Sequence, residues 1–236
     1  MMHEKQRGGD SMLRGAIFDL DGTLLDSMPV WNTLASAYLR TIGHTPQADV
    51  DAAISSFSLQ QAARYFQTEY GVTLSESEIV DGVKALIQHF YEAEVQPKPG
   101  VSAFLQQLSR QGVKMCVATA TDAQLARAAL TRCGLMHFFA EIITCDEVGA
   151  GKDQPLIYRE ALKTLGTPQS KTLVFEDARH ALQTAKADGF ITVAVHDDGE
   201  PDWEQMKRIS HYAMNDFTET KALWDFTDRM NKGDII

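Results

Sequence analysis

Two aspartates one residue apart, Asp19 and Asp21, close the apolar run Ala16-Ile17-Phe18 and lead into Gly22-Thr23-Leu24-Leu25. Side chains alternate along a strand, so Asp19 and Asp21 emerge together where a buried strand Gly15–Phe18 ends. Charge buried without a partner is costly, and such a pair sits on a cation or belongs to a reaction centre. Glu176-Asp177 ends the apolar run Leu173-Val174-Phe175 in the same manner and has the same need. Two further segments could supply what an anionic substrate requires. Thr119, in Ala118-Thr119-Ala120-Thr121-Asp122, places a hydroxyl at a strand end beside the free amides of a helix starting near Ala123, a combination that holds phosphate oxygens. Lys152, in Gly149-Ala150-Gly151-Lys152-Asp153-Gln154-Pro155, offers an ammonium from a flexible turn, able to stabilise charge on transferring oxygens.

Each signal alone has a plainer reading. Asp-x-Asp-x-Asp-Gly would be a calcium loop, but position 23 is Thr and no Glu closes the site in register. Thr121 or Asp122 can be an ordinary helix cap, Lys152 a surface lysine, and Asp177 the cap of a helix Ala178–Asp188. A nucleotide-binding P-loop at Lys152 is excluded, because position 153 is Asp where Ser or Thr would be needed. His196, in Val195-His196-Asp197-Asp198-Gly199, reads as a turn histidine.

The elements that must position these residues follow from periodicity. Apolar runs at Gly15–Phe18, Val113–Ala118, Glu141–Cys145, Thr172–Glu176, Ile191–Val195 and His211–Met214 alternate with helical patterns, including Val101–Gln111 and Leu156–Leu165. This predicts an α/β fold with a Rossmann-like parallel sheet covered on both faces, whose ligand sites lie at the carboxyl ends of the strands. The roughly ninety residues between the first two strands are too many for a crossover. They carry helical patterns of their own at Val30–Thr41, Gln47–Ile54, Leu59–Tyr70 and Glu76–Glu94, with turn signals at Gly43, Pro46, Gly71 and Ser75. An inserted α-helical cap domain over 28–96 is expected, with 12–27 and 97–232 forming the core. Asp26–Pro29 and Gln96–Gly100 would be the connections, the latter marked by Pro97-Lys98-Pro99-Gly100. Phe57, Tyr65, Phe66, Phe90 and Tyr91 recur at helical spacing and read as the small core of the insert. Met1–Asp10 and Gly233–Ile236 read as frayed ends.

Composition narrows the field. With 22 basic and 32 acidic residues the net charge is −10, which argues against nucleic acid or an anionic membrane as the main partner. No stretch approaches the roughly 20 apolar residues of a membrane span, and Met1 to Ser11 lacks a hydrophobic secretory segment. Three cysteines without metal-ligand spacing fit a reducing compartment, so a cytoplasmic protein is expected, as a monomer or small homo-oligomer.

The stretch Asp19-Leu20-Asp21-Gly22-Thr23 resembles the first motif of the haloacid dehalogenase superfamily, and Thr119, Lys152 and Asp177 match its three other motifs in order. The resemblance runs from about Leu13 to Met214 and implies an enzyme of phosphoryl transfer. It implies Asp19 as the phosphorylated nucleophile and Asp21 as general acid and base, with its backbone carbonyl on a metal. Thr119, with the adjacent Ala120, and Lys152 would bind phosphate; Asp19, Asp21, Asp177 and Glu176 would hold the metal, Glu176 directly or through water. An oxygen-rich set of that kind suits Mg2+. The usual Pro-x-Pro after the lysine is here Asp153-Gln154-Pro155, and the small residues expected after Asp177 are replaced by Arg179 and His180. The layout is similar to the β-phosphoglucomutase and phosphoglycolate phosphatase branch. The mutases carry an Arg before a Ser-Leu pair, whereas Phe57-Ser58-Leu59 keeps the pair without it. Hydrolysis of a small phosphorylated metabolite is therefore expected over a mutase activity, with Arg64 open as a substitute grip. A phosphate-binding module without catalysis is the third reading, and it has no use for an acid at Asp21.

Overall fold

The computed structural model describes residues 13–54, 57 and 59–231. The expected boundaries at 12 and 232, the two chain ends and Ser58 lie outside the described residues.

Six strands, β1 (Gly15–Phe18), β2 (Lys114–Thr119), β3 (Ile142–Thr144), β4 (Thr172–Glu176), β5 (Ile191–Val195) and β6 (Tyr212–Met214), form one parallel sheet in the order β3-β2-β1-β4-β5-β6. β1 lies in the middle, with Ile17 opposite Cys116 on one side and Val174 on the other. Successive β1 side chains serve opposite faces, as strand geometry requires. Ala16 and Phe18 pack into the larger core, and Ile17 joins Cys116, Val174 and Tyr158 on the other face. Phe18 stacks on Phe175 with ring centroids 4.5 Å apart, and Phe104 of the helix α6 (Val101–Arg110) meets both edge-on. Phe217 and Trp224 extend this cluster around Phe104. β3 stops at Thr144 because that hydroxyl caps the following helix at Glu147.

The described elements of the insert are all helices, though broken more often than periodicity predicts: α1 (Met28–Trp31), α2 (Leu34–Thr41), α3 (Val50–Ala53), α4 (Leu59–Tyr70) and α5 (Glu76–His89). The expected single helix Val30–Thr41 divides at Thr33, whose hydroxyl donates back to the Pro29 carbonyl, 2.8 Å away, and whose backbone, at φ −129°, leaves the helical conformation. α5 starts in a capping box made by Ser75 and Glu78 and continues as a π-helix over Phe90–Glu94, closed by Val95 N–H donating to the Phe90 carbonyl. Phe66 and Tyr91 are fully buried, whereas Phe57 is 40 % exposed and packs only edge-on against Tyr65.

The remaining helices are α7 (Ala123–Arg132), α8 (Cys145–Val148), α9 (Leu156–Leu165), α10 (Arg179–Ala187), α11 (Trp203–Ile209) and α12 (Lys221–Asn231). None of the helices described is long and apolar enough to cross a membrane.

The two connections to the insert run side by side. Leu25 pairs antiparallel with Pro97, Asp26 N–H donates to the Gln96 carbonyl and Lys98 N–H to the Leu24 carbonyl, each at 2.9 Å. Lys98 is buried, its ammonium 2.7 Å from both the Asp197 carboxylate and the His196 carbonyl. Burying a charge is costly unless such partners meet it.

Because Phe104 fills the centre of the aromatic cluster, Phe104→Ala is expected to lower the unfolding free energy by about 3–5 kcal/mol. Urea denaturation followed by circular dichroism reads this directly, and a loss under about 1 kcal/mol would mean that the core closes around the gap.

Candidate active site

The strand order reverses direction between β1 and β4, and the crevice beyond the carboxyl ends of these two strands is where a doubly wound sheet places its ligands. Asp19 follows β1, Glu176 ends β4 and Asp177 follows it, so both acidic pairs meet at this point. All seven residues singled out by sequence, Asp19, Asp21, Thr119, Ala120, Lys152, Glu176 and Asp177, line one cavity of about 890 Å³.

Lys152 is the hub. Its loop leaves α8 through Gly149 in the left-handed conformation and turns with Gln154 N–H donating to the Gly151 carbonyl, so a lysine loop without Pro-x-Pro still reaches inward. The ammonium bonds the Asp19 carboxylate and sits 2.8 Å from Glu176 Oε1. Tyr158 of α9, fully buried, donates to the same Glu176 oxygen at 2.7 Å. Burial alone would lower the Lys152 ammonium, but Asp19 and Glu176 hold it above its usual range. Burial pushes the Glu176 carboxyl up, with Lys152 opposing and Asp19 adding to the rise. Asp177 is driven well up by burial and then by Asp19 and Glu176.

Asp19, Glu176 and Asp177 each present an oxygen within 4.8 Å of the others. Glu176 Oε2 is buried with no hydrogen-bond partner in the protein, which leaves it a bare acceptor. Three hard oxygen donors with negative charge in excess, one of them orphaned, fit a small divalent cation such as Mg2+. Asp177 is aimed by Thr23, whose hydroxyl donates to Oδ1 at 2.9 Å. Gly22 makes this approach possible: it has φ +75°, and a β-carbon there would overlap the Asp177 carboxylate.

Asp21 has different surroundings from Asp19. Its Oδ1 accepts from Ser27 at 2.7 Å and Tyr91 at 2.5 Å, and its Oδ2 from Thr121 at 2.5 Å. Burial, then Asp19, raises its carboxyl, and the three hydroxyls oppose that rise. Thr119 is buried at the end of β2, its Oγ1 accepting from Thr121 N–H, while Asp122 performs the capping of α7. A second cavity of about 740 Å³ shares Asp21, Met28 and Ala120 with the first and continues past Trp31, Lys84, Gln88, Glu92 and Gln124.

The open residues find definite places. Arg64 is exposed and paired with Glu76, outside both cavities. Arg179 turns to Gln205 through its guanidinium, while His180 lines the site. His196 packs edge-on against Trp203 and does not line the site. Sequence reasoning missed Tyr91, Trp31 and Tyr158 as site residues. Tyr91 is 70 positions from the aspartate it bonds, and no local pattern marks that contact.

A parallel sheet with a helical insert and a carboxylate-centred crevice at its switch point defines an enzyme of the α/β class. Within that class the chain belongs to the haloacid dehalogenase-like hydrolase family, whose pattern matches residues 16–195. It is 33% identical over 184 residues to a phosphoglycolate phosphatase of Rhodobacter capsulatus, covering 75% of this chain and 82% of that one. It is 29% identical over 188 residues to the fructose-1-phosphate phosphatase YqaB of Escherichia coli, covering 77% and 95%. In fold it is similar to CbbY from Rhodobacter sphaeroides, crystallised with phosphate, with a TM-score of 0.68, 20% identity and coverage of 89% and 96%.

Since Gly22 leaves the space that Asp177 occupies, Gly22→Ala is expected to weaken Mg2+ binding by at least about tenfold while the helical circular dichroism signal persists. Calorimetric titration with Mg2+ alone decides it, and unchanged affinity would remove Asp177 from the metal site.

Proposed function

We propose that the protein is a Mg2+-dependent phosphatase that hydrolyses a small phosphorylated metabolite through an aspartyl phosphate on Asp19. The observation that carries this reading is the separation of two neighbouring carboxylates into different environments. Asp19 lies on an ammonium beside further acids, and Asp21 is held off that cluster by hydroxyls. Environments that divide two carboxyls in this way divide nucleophile from acid and base.

In the first step an Asp19 oxygen attacks phosphorus in line, the bond to the substrate oxygen breaks, and Asp21 gives its proton to that oxygen. Water then attacks the aspartyl phosphate, Asp21 takes the proton, and Asp19 and inorganic phosphate are released. Lys152 neutralises the nucleophile and the phosphoryl oxygens, while the Thr119 hydroxyl and the backbone at Ala120 hold the phosphate. Asp19, Glu176, Asp177 and the Asp21 carbonyl would hold Mg2+, which when bound offsets the charge of the phosphoryl group. Residues 28–96 act as the cap over a core of 12–27 and 97–232, and their side chains in the second cavity choose the substrate. Arg64 is paired with Glu76 on the surface, and among the described residues no arginine lines the second cavity, where Lys84 is the cation; this supports hydrolysis over the mutase alternative only in that the arginine grip is not there.

The test is a panel of phosphorylated metabolites, including phosphoglycolate, fructose 1-phosphate and β-glucose 1-phosphate, with released phosphate and isomers measured together. Mg2+-dependent release that ends in Asp19→Asn and on chelation is expected, and full turnover by Asp19→Asn would refute the nucleophile. Isomerisation with little release would establish the mutase.

A further inference from the structure

Tyr91 belongs to the π-helix that ends the insert, and its side chain is fully buried. A buried phenol needs a partner for its hydroxyl. Here the Trp31 indole N–H donates to it at 3.3 Å, it donates to Asp21 Oδ1 at 2.5 Å, and the Thr121 hydroxyl lies close by. Because the indole can only donate, the phenol accepts from Trp31, and its single hydrogen points to Asp21. The direction of this two-bond chain is therefore fixed by chemistry. The two other donors to Asp21 come from elsewhere: Ser27 from the outgoing connection and Thr121 from the turn after β2. Tyr91 is the one among these donors contributed by the helices of the insert past that connection. π-helical turns concentrate at functional sites, since the extra residue re-aims the side chains around it.

We propose that Tyr91 is a positioning residue for Asp21, its hydroxyl oriented by Trp31 so that the acid is set in place by the inserted helices. This rests on Asp21 being the general acid and base of the proposed phosphatase. Tyr91 holds Oδ1, which leaves Oδ2 as the oxygen that carries the transferred proton, since the Thr121 hydroxyl beside it can rotate to give way. Trp31 also lines the second cavity, so the group that orients Tyr91 is in contact with the space the substrate body enters.

The experiment compares kcat/KM of wild type, Tyr91→Phe, Trp31→Phe and Asp21→Asn with Mg2+ on aryl phosphates running from p-nitrophenyl to phenyl. Only the transfer to Asp19 enters kcat/KM, and a good leaving group needs little help from an acid. Tyr91→Phe is expected to lose about tenfold on phenyl phosphate and less than about twofold on p-nitrophenyl phosphate, with Asp21→Asn showing the same split at about a hundredfold or more. Trp31→Phe, at a part-exposed site that tolerates the change, should show the split in smaller measure. Equal loss by Tyr91→Phe across the series, or no loss, beside a split in Asp21→Asn overturns the role of Tyr91 alone. A flat response of Asp21→Asn overturns the acid assignment and this proposal with it.

Discussion

One ammonium faces the carboxylates of Asp19 and Glu176 at the bottom of the crevice, with Asp177 and Asp21 close by. Lys152 cannot balance four acids, and water is largely excluded from Asp19, Glu176 and Asp177. Bringing such charges together is unfavourable unless protons or further positive charge arrive. That deficit sets the requirements of the site: a cation for the orphaned oxygen of Glu176, and strand ends rigid enough to hold the acids against their mutual repulsion. The sheet meets the second requirement. β1 and β4 are hydrogen-bonded neighbours, and the Asp19 N–H continues the ladder to the Phe175 carbonyl. The stacked Phe18 and Phe175 beneath then fix the two acid-bearing strand ends against each other.

An acidic chain can work on phosphate esters on these terms because its charge is distributed by function. The net −10 belongs to the whole chain, whereas within the crevice Lys152 sets an ammonium where a phosphoryl group would lie. Tyr158 contributes from behind. By occupying the same Glu176 oxygen as Lys152, it leaves the other oxygen without a hydrogen bond from the protein.

Much of this was legible in the order of residues. β1, β4 and β5 are mainly apolar and match the expected bounds, since a strand buried on both faces admits a polar side chain only with a partner, as Thr192 finds in His211. The acids at their ends are conspicuous for the same reason. The insert was legible only as helical. Its breaks depend on competition between side chain and backbone, as at Thr33, and on the added residue per turn at Phe90–Glu94, which no period reveals. Tyr91 shows the limit most clearly: its spacing places it among the apolar residues of the insert, and its burial agrees. The one atom that departs from that pattern, the hydroxyl, meets Asp21 only after the chain has folded back. Arg64 shows the converse, a charge that sequence leaves available and Glu76 engages.

The paired connections join the insert to the sheet at one place. Leu24–Asp26 and Gln96–Lys98 are bonded to each other as a short two-stranded ribbon, and Lys98 nails that ribbon to the loop after β5 through Asp197. Both ends of the insert are therefore tied to one another and to the same loop of the sheet, so a change at Lys98 or Asp197 would act on the two connections together.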